Sequence, residues 1–230
     1  MPATLGGSNC ALAMAGARSV TTRSAEPGDR HGRPVHSAQL LPPSVAGIAA
    51  AQQCVLRDYF HAKDENRPHL LEHVFAEPAR LAVVNRSQSI AFPETVSGRD
   101  AIADVFVRRF NQSYENIYSF YLSRPDGTSE VFTCGWLVVM TDKADARVRL
   151  GSGRYAWRFD AAAPHLAVAL TITIETMVLL PATAWPGTLA WMRRLDYPWT
   201  NAAAALHVVP VQPELQALRT NLQALAVVTT

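Results

Sequence analysis

Glu175 is the one carboxylate within the apolar run from Val168 to Leu180. Burial among apolar side chains raises the pKa of a carboxylic acid toward the range of a general base that works near neutral pH. The alternation of residues such as Leu170, Ile172 and Ile174 with smaller and polar ones predicts a strand with one face toward the core. By that parity Glu175 lies on the outer face, unless a bulge reverses the register. Glu175 is therefore a candidate catalytic residue, with a solvent or interface position as the alternative.

Two histidines have a spacing that could hold a metal ion. His69 and His73 stand four residues apart in a predicted helix, which can place two ligands on one metal. No third ligand is evident and the H-E-x-x-H order is absent, so we interpret them as a solvated helix face. The sequence also contains no P-loop, no G-x-G-x-x-G after a strand and no G-x-S-x-G. It therefore predicts no metal site and no phosphate-binding loop.

Composition limits the classes of partner. Of the 230 residues, 21 are basic and 19 acidic, which gives a formal net charge of +2. That balance provides little of the positive field that a nucleic-acid-binding protein needs. No segment reaches the roughly 20 apolar residues that cross a bilayer. We predict a protein that binds neither nucleic acid nor membranes.

The cysteines and the N-terminal segment indicate the cellular compartment of the protein. Cys10, Cys54 and Cys134 are odd in number and lack C-x-x-C spacing, which argues against a disulfide framework and a zinc ribbon. The short apolar stretch at 11–17 has no basic residue before it and is followed by Arg18, the reverse of a secretory signal. These observations predict a cytoplasmic protein.

The elements that would position these groups begin with helices. Residues 1–46 lack sustained apolar periodicity and are predicted to stay disordered. Apolar residues recur at helical spacing from Ile48 to Phe60, which predicts helix one. A short second helix is expected between Asn66 and Glu77, and a third over 97–110.

Beyond the third helix the periodicity becomes that of strands. Four long runs are separated by turn sequences and predict an antiparallel meander, and a shorter strand precedes helix three. Helices then lie on one face of the sheet. A sheet this long must curl, and Gly151 and Gly153 mark a plausible bend. The predicted strands cover 81–85, 116–123, 131–140, 147–159 and 166–180.

The predicted fold class is therefore α+β: a cone-shaped barrel of three N-terminal helices packed in a curved antiparallel sheet over 47–181. Residues 182–230 form a C-terminal extension. Leu189, Met192 and Leu195 predict one short amphipathic helix there, and the leucines between Leu215 and Leu225 predict another.

Four segments resemble the nuclear transport factor 2-like superfamily, in its SnoaL-like and ketosteroid isomerase-like branch. They are the helix-one segment 56–64, Val74 to Glu77, Ser97 to Ile102, and the strand from Gly153 to Phe159. The resemblance covers about 47–181. Because this superfamily hosts unrelated activities, it implies a fold more specifically than a function.

The isomerase pattern can be carried over residue by residue. The resemblance implies that Tyr59 donates a hydrogen bond to a substrate oxyanion and that Tyr155 lies near a second oxyanion donor. The same comparison puts Val83 where the isomerase keeps its carboxylate base, and valine cannot move a proton. Since a positioned base contributes roughly 10²–10⁴ in rate, this disfavours the isomerase reaction itself. The family's proton chemistry runs on side chains, so no cofactor is implied.

Other residues are predicted to line the pocket. Tyr155, Trp157 and Phe159 share one face of a strand by parity, so they line the pocket if that face is concave and otherwise form a plain core. Asn85 shares parity with Val83 and could stand at the pocket mouth, although asparagine is also common where strands end. Tyr59 likewise has an alternative, since a tyrosine on an apolar stripe often packs in the core.

Two functions remain open. One is a cofactor-independent isomerase, cyclase or dehydratase that acts on a small apolar cyclic substrate held by Tyr59. The other is a noncatalytic ligand-binding or dimerisation module of the same fold. The resemblance implies a homodimer formed through the sheets, for which the outer threonines of the last strand are candidates. The enzyme requires a carboxylate or imidazole that opens into the cavity near the tyrosine hydroxyl.

Overall fold

The computed structural model describes residues 44–228 and begins with a long helix, α1 (Val45–Asp64). Its N-terminus is capped by Ser44, whose hydroxyl accepts a hydrogen bond from the backbone N–H of Gly47 at 3.2 Å. Val55, Leu56, Tyr59 and Phe60 are buried along it, as the apolar stripe predicted. The predicted disorder of 1–46 falls almost entirely outside the described residues.

The second predicted helix is only partly right. A 3₁₀ helix covers Pro68–His73, and strand β1 (Phe75–Asn85) then starts inside the segment that the sequence analysis assigned to the helix end. The carbonyl of Val74 accepts a hydrogen bond from Ala167 at 2.8 Å, and Phe75 pairs with the same residue. Strand pairing with a segment about 90 residues away therefore overrides the local helical pattern.

The third helix contains an irregular turn. After a short strand, β2 (Thr95–Ser97), the chain forms α2 (Arg99–Ala103), a π-helical turn (Asp104–Arg109) and α3 (Phe110–Ser113). Ile102, Phe106, Val107 and Phe110 are its buried apolar residues. Such π turns are frequent at functional sites, and this one carries Phe106 toward the sheet.

The sheet has six strands in the order β2-β1-β6-β5-β4-β3. The four long runs form an antiparallel meander, as predicted, but β1 pairs with β6 in parallel, so the prediction of a purely antiparallel sheet is wrong at this pair. The α+β class itself is confirmed. These strands are β3 (Tyr114–Tyr121), β4 (Val131–Asp142), β5 (Val148–Phe159) and β6 (Ala167–Leu180).

A bulge interrupts the pairing of β5 with β6. Ser152 pairs with Thr176 and Gly153 pairs with Ile174, which leaves Glu175 as the additional residue. The bulge that could have turned Glu175 inward thus occurs at Glu175 itself, but it brings Met177 into the core and leaves Glu175 outside it. As a result Ile174 and Met177, three positions apart, join the same core.

Both faces of the sheet are covered, because alternate residues of β4 belong to two different cores. Trp136 and Val138 pack with α1 and the other N-terminal helices, whereas Leu137 and Val139 pack with the C-terminal segment. That segment comprises α4 (Trp185–Met192), α5 (Ala202–Val208) and α6 (Gln216–Val228). The leucines predicted as one helix face, Leu215, Leu218, Leu222 and Leu225, are all buried.

The C-terminal segment also reaches the first core. Trp199 stacks on Tyr121 with ring centroids 4.8 Å apart, and Tyr121 stacks on Phe60 of α1 at 3.9 Å. Trp199 therefore links the C-terminal segment to the core beneath α1. Thr171 and Thr173, which were candidates for the predicted dimer surface, are partly exposed on the outer face.

Two further observations concern the predictions on membranes and cysteines. None of the helices formed by residues 44–228 has the length and apolar character needed to span a bilayer. Cys134 is a buried free thiol, and burial raises its pKa. Cys10 lies outside the described residues.

Candidate functional site

An apolar cavity lies between the N-terminal helices and the inner face of the sheet. It leaves about 50 Å³ to the centres of water-sized molecules. Because one water needs roughly 10–15 Å³ on this measure, the cavity admits a few waters or a ligand of a few heavy atoms. Its lining consists of Tyr59, Lys63, Val83, Ile90, Phe92, Phe106, Phe110, Trp136, Val138, Met140, Tyr155, Ile172, Ile174 and Met177.

Tyr59 brings a hydroxyl without a partner into this lining. The side chain is fully buried, and its hydroxyl makes no hydrogen bond within the described part of the chain. Edge-to-face contacts with Trp157 at 5.1 Å, Phe75 at 6.1 Å and Tyr155 at 6.3 Å hold the ring. Burial, with a smaller contribution from the Asp64 carboxylate, raises the pKa of Tyr59 far above its usual value. The group is therefore a neutral phenol that can donate a hydrogen bond.

Trp136 contributes a second donor of the same kind. Its indole N–H is buried and unpartnered among the described residues. The indole stacks on Tyr155, with ring centroids 5.6 Å apart. Buried N–H and O–H groups nearly always have a partner. The Trp157 and Trp199 indoles lack a described partner too, but Tyr59 and Trp136 are the ones that line the cavity.

Lys63 is the charged residue of the described lining, and it forms a buried ion pair. Its ammonium contacts the Asp64 carboxylate and donates to the Ser119 hydroxyl at 2.9 Å. The two Asp64 oxygens also accept from the Ser119 hydroxyl at 3.1 Å and the Ser119 N–H at 3.0 Å. The aromatic ring of Phe110 lies 5.0 Å from the ammonium. The pair therefore carries no net charge. Both Asp64 oxygens are already occupied by contacts with Lys63 and Ser119.

Lys63 was not among the residues that the sequence pattern singled out for the site. A signal was available, since Lys63 follows Tyr59 by four residues and such residues share a helix face. The counterion could not be foreseen from spacing. Ser119, on β3, is brought to Asp64 only by the fold.

The structure places the other predicted residues in three different environments. Val83 and Tyr155 line the cavity. Trp157 and Phe159 are buried in the same core, outside that lining. Asn85 stands outside it too, and its side-chain amide donates to the Ile90 carbonyl at 2.6 Å.

Glu175 does not line the cavity. Its carboxylate accepts a hydrogen bond from the Arg86 guanidinium at 2.9 Å, in an ion pair whose arginine is well exposed. This position, at the bulge of β6, corresponds to the outer-face alternative of the sequence analysis.

The polar groups of the cavity are therefore all potential donors in an apolar wall. No carboxylate or imidazole is among the described lining residues, and residues 44–228 hold no group of acidic, histidine or cysteine side chains suited to a metal ion. This arrangement can orient a ligand through an acceptor atom. The lining includes none of the usual bases for abstracting a proton, a carboxylate or an imidazole.

No family model and no curated protein sequence matches the chain. Solved structures are similar to slightly more than half of it. One is a nuclear transport factor 2-like superfamily protein from Salmonella enterica, with a TM-score of 0.46 and 12% identity over 56% of this chain and 91% of that chain. Another is a protein of ketosteroid isomerase-like fold from Catenulispora acidiphila, in complex with trimethylamine, with a TM-score of 0.41 and 14% identity over 51% and 82% of the two chains.

A third is the hexachlorocyclohexane dehydrochlorinase LinA, with a TM-score of 0.45 and 14% identity over 57% of this chain and 87% of that chain. Some of these structures carry the nuclear transport factor 2-like name, which is also that of the superfamily that four segments of the sequence resemble.

Proposed function

We propose that the protein binds a small, neutral, largely apolar molecule that carries a carbonyl-type oxygen. The observation that carries this proposal is the pair of orphaned donors, the Tyr59 hydroxyl and the Trp136 indole N–H, at one apolar cavity. An unpartnered buried donor costs about 1–3 kcal/mol. A ligand acceptor would remove part of that cost, which gives such a molecule an advantage over a hydrocarbon of the same shape.

The charge of the ligand follows from the ion pair. Lys63 is already neutralised by Asp64, so an anionic ligand would lose its hydration without meeting an uncompensated positive charge. A cationic ligand would find no carboxylate among the described lining groups to neutralise its charge. A ketone, lactone, ester or ether fits this environment better than a carboxylate or an amine.

The test is a binding series matched in shape. Cyclopentanone, cyclopentane and cyclopentanecarboxylate are titrated against the protein by ligand-observed NMR, with quinones and steroids as larger members of the series. We expect the ketone to bind most tightly, and Tyr59→Phe to weaken it about tenfold, the value of a single hydrogen bond. Tyr121→Phe is the matched control, because that hydroxyl already donates to the Leu56 carbonyl at 2.9 Å. Equal binding of ketone and hydrocarbon would contradict the proposal.

A cofactor-independent enzyme is the second candidate, favoured by the buried Lys63 and Asp64 beside the cavity. Buried ion pairs contribute little net stability, so one at a cavity wall is a candidate for chemistry. Exchange of the ketone's α-protons in D₂O, followed by NMR, distinguishes the two functions. If the wild-type protein accelerates this exchange and Lys63→Met does not, the enzyme is favoured. If the wild-type protein does not accelerate it, the binding protein is favoured.

A further inference from the structure

One irregular segment contributes part of the cavity wall. The entrance segment, residues 86–94, connects β1 to β2, and two of its side chains, Ile90 and Phe92, belong to the cavity wall. Phe92 stacks on Phe106 with ring centroids 5.2 Å apart and lies 6.2 Å from Phe110. This segment therefore completes the wall on the side of the N-terminal helices.

Phe92 is the most exposed residue of the cavity wall. Among the described lining residues it alone is partly exposed, and all the others are buried. Because the cavity holds only a few waters, a cyclic ligand needs more room than the present wall allows. Movement of the entrance segment would provide both the room and the path.

Side chains hold the entrance segment more than a backbone ladder does. Its ends are joined to strands by the Arg86 N–H, which donates to Ile174 at 2.9 Å, and by the Glu94 carbonyl, which accepts from Val83 at 2.9 Å. Between these ends the segment has no helix or strand. Segments that rely on few contacts open at lower free energy than the core.

Asn85 makes the central contacts. Its amide donates to the Ile90 carbonyl at 2.6 Å, and its carbonyl oxygen accepts from the Ser87 N–H at 3.0 Å. Ser89 adds a second attachment, since its hydroxyl donates to the Met177 carbonyl at 2.7 Å. The Arg149 guanidinium, which is paired with Asp142, also donates to the Ser89 carbonyl.

From these contacts we infer that the entrance segment opens to admit the ligand and that Asn85 is a positioning residue that keeps it closed. Glu175 assists through its ion pair with Arg86 at the start of the segment. Asn85 and Glu175, which the sequence pattern suggested as site residues, thus control access to the cavity without contacting the ligand. The inference rests on the proposed function for its purpose, but the opening itself can be measured without any ligand.

The experiment places a cysteine in the cavity wall by Val138→Cys and measures its modification by methyl methanethiosulfonate. Peptide mass spectrometry quantifies the label at position 138. In this background, Asn85→Ala and Ser89→Ala should each raise the labelling rate about tenfold. Gln88→Ala is the control, because Gln88 is exposed and lies in the same segment. Urea unfolding of each variant shows whether a faster rate reflects global unfolding.

Equal rates in Asn85→Ala, Ser89→Ala and Gln88→Ala would overturn the inference, as would rates that follow global stability. Asn85→Asp sharpens the test, since it keeps the acceptor for Ser87 and loses the donor to Ile90. Its rate should exceed that of Gln88→Ala. If labelling behaves as expected while no member of the binding series binds, the proposed function fails and the opening of the segment stands.

Discussion

Tyr59 and Tyr121 are two buried phenols with different surroundings. The Tyr121 hydroxyl donates to the Leu56 carbonyl, whereas the Tyr59 hydroxyl, on a residue of the cavity wall, has no described partner. A polar group that is buried without a partner lowers stability. Stability measurements can therefore separate the two residues.

We expect Tyr59→Phe to leave the free energy of unfolding unchanged or to raise it by up to about 1 kcal/mol, because no hydrogen bond is lost. Tyr121→Phe should lower it by about 1–2 kcal/mol, since the Leu56 carbonyl loses its donor. Urea unfolding followed by circular dichroism measures both. A loss in Tyr59→Phe as large as that in Tyr121→Phe would mean that the hydroxyl has a partner after all.

The ion pair of Lys63 and Asp64 gives a second expectation. Asp64→Asn leaves the ammonium buried without its counterion and should lower the free energy of unfolding by about 3–5 kcal/mol. Asp104→Asn is the control, because Asp104 pairs with Arg109 at the surface and such pairs contribute about 0–1 kcal/mol. Equal losses in the two variants would show that the Lys63 pair is solvated.

At the scale of elements, the bulge between β5 and β6 depends on Gly153. A Cβ atom at this position would lie 1.9 Å from the backbone oxygen of Thr173, a separation that neither backbone can accommodate without moving. The strands approach closely here because Glu175 is inserted into β6. Gly153, which was predicted to mark a bend, is thus needed because the bulge brings the two backbones close together.

Gly153→Ala should therefore lower the free energy of unfolding by at least the roughly 1–3 kcal/mol that is typical of overpacking. Gly187→Ala is the matched control, since no atom lies within 4 Å of its added Cβ in α4. There alanine should stabilise the helix by about 0.5–1 kcal/mol. Thermal unfolding compares the two, and a Gly153→Ala protein as stable as wild type would contradict the bulge geometry.

The C-terminal helices form the second layer on the sheet, so their apolar residues should matter as much as those of α1. Leu218→Ala, at a fully buried position, should cost about 2–5 kcal/mol. Val211→Ala, at a position that is 82% exposed, should change the free energy by less than about 0.5 kcal/mol. If urea denaturation finds Leu218→Ala as neutral as Val211→Ala, the C-terminal layer does not pack on the sheet.

At the scale of the whole molecule, buried tyrosines make stability sensitive to alkali. Burial raises the pKa of Tyr59, Tyr121 and Tyr155 above the value near 10 that they have in the unfolded chain. Above pH 10 the unfolded state loses these protons while the folded state keeps them. The free energy of unfolding is therefore unaffected by these groups below pH 10 and falls as the pH rises beyond it.

These three groups alone contribute a slope that approaches about 4 kcal/mol per pH unit. Tyr114, Tyr197 and Cys134, whose pKa values burial also raises, add to it. Urea unfolding at pH 9, 10 and 11 measures it. Tyr59→Phe should reduce the slope by about 1.4 kcal/mol per pH unit, because one ionising group is gone. An unchanged slope in this variant would show that Tyr59 ionises equally in both states.

The sequence by itself determined the local elements whose periodicity is strong. Helix α1, the four strands of the meander and the leucine face of α6 follow from the spacing of apolar residues, because burial of one face is the dominant stabilising term. The candidate residues Tyr59, Val83 and Tyr155 were placed at the cavity wall by the resemblance and by parity. These predictions depend on near neighbours in the chain.

Tertiary structure decided what depends on distant neighbours. The parallel pairing of β1 with β6 converted Phe75 from helix to strand, and the bulge moved Glu175 into an ion pair with Arg86. Ser119 completes the Lys63 site from 56 residues away, and Asn85 holds the wall of a cavity that it does not line. Hydrogen bonds and ion pairs are short-ranged and directional, so their partners are set only when the fold brings remote segments together.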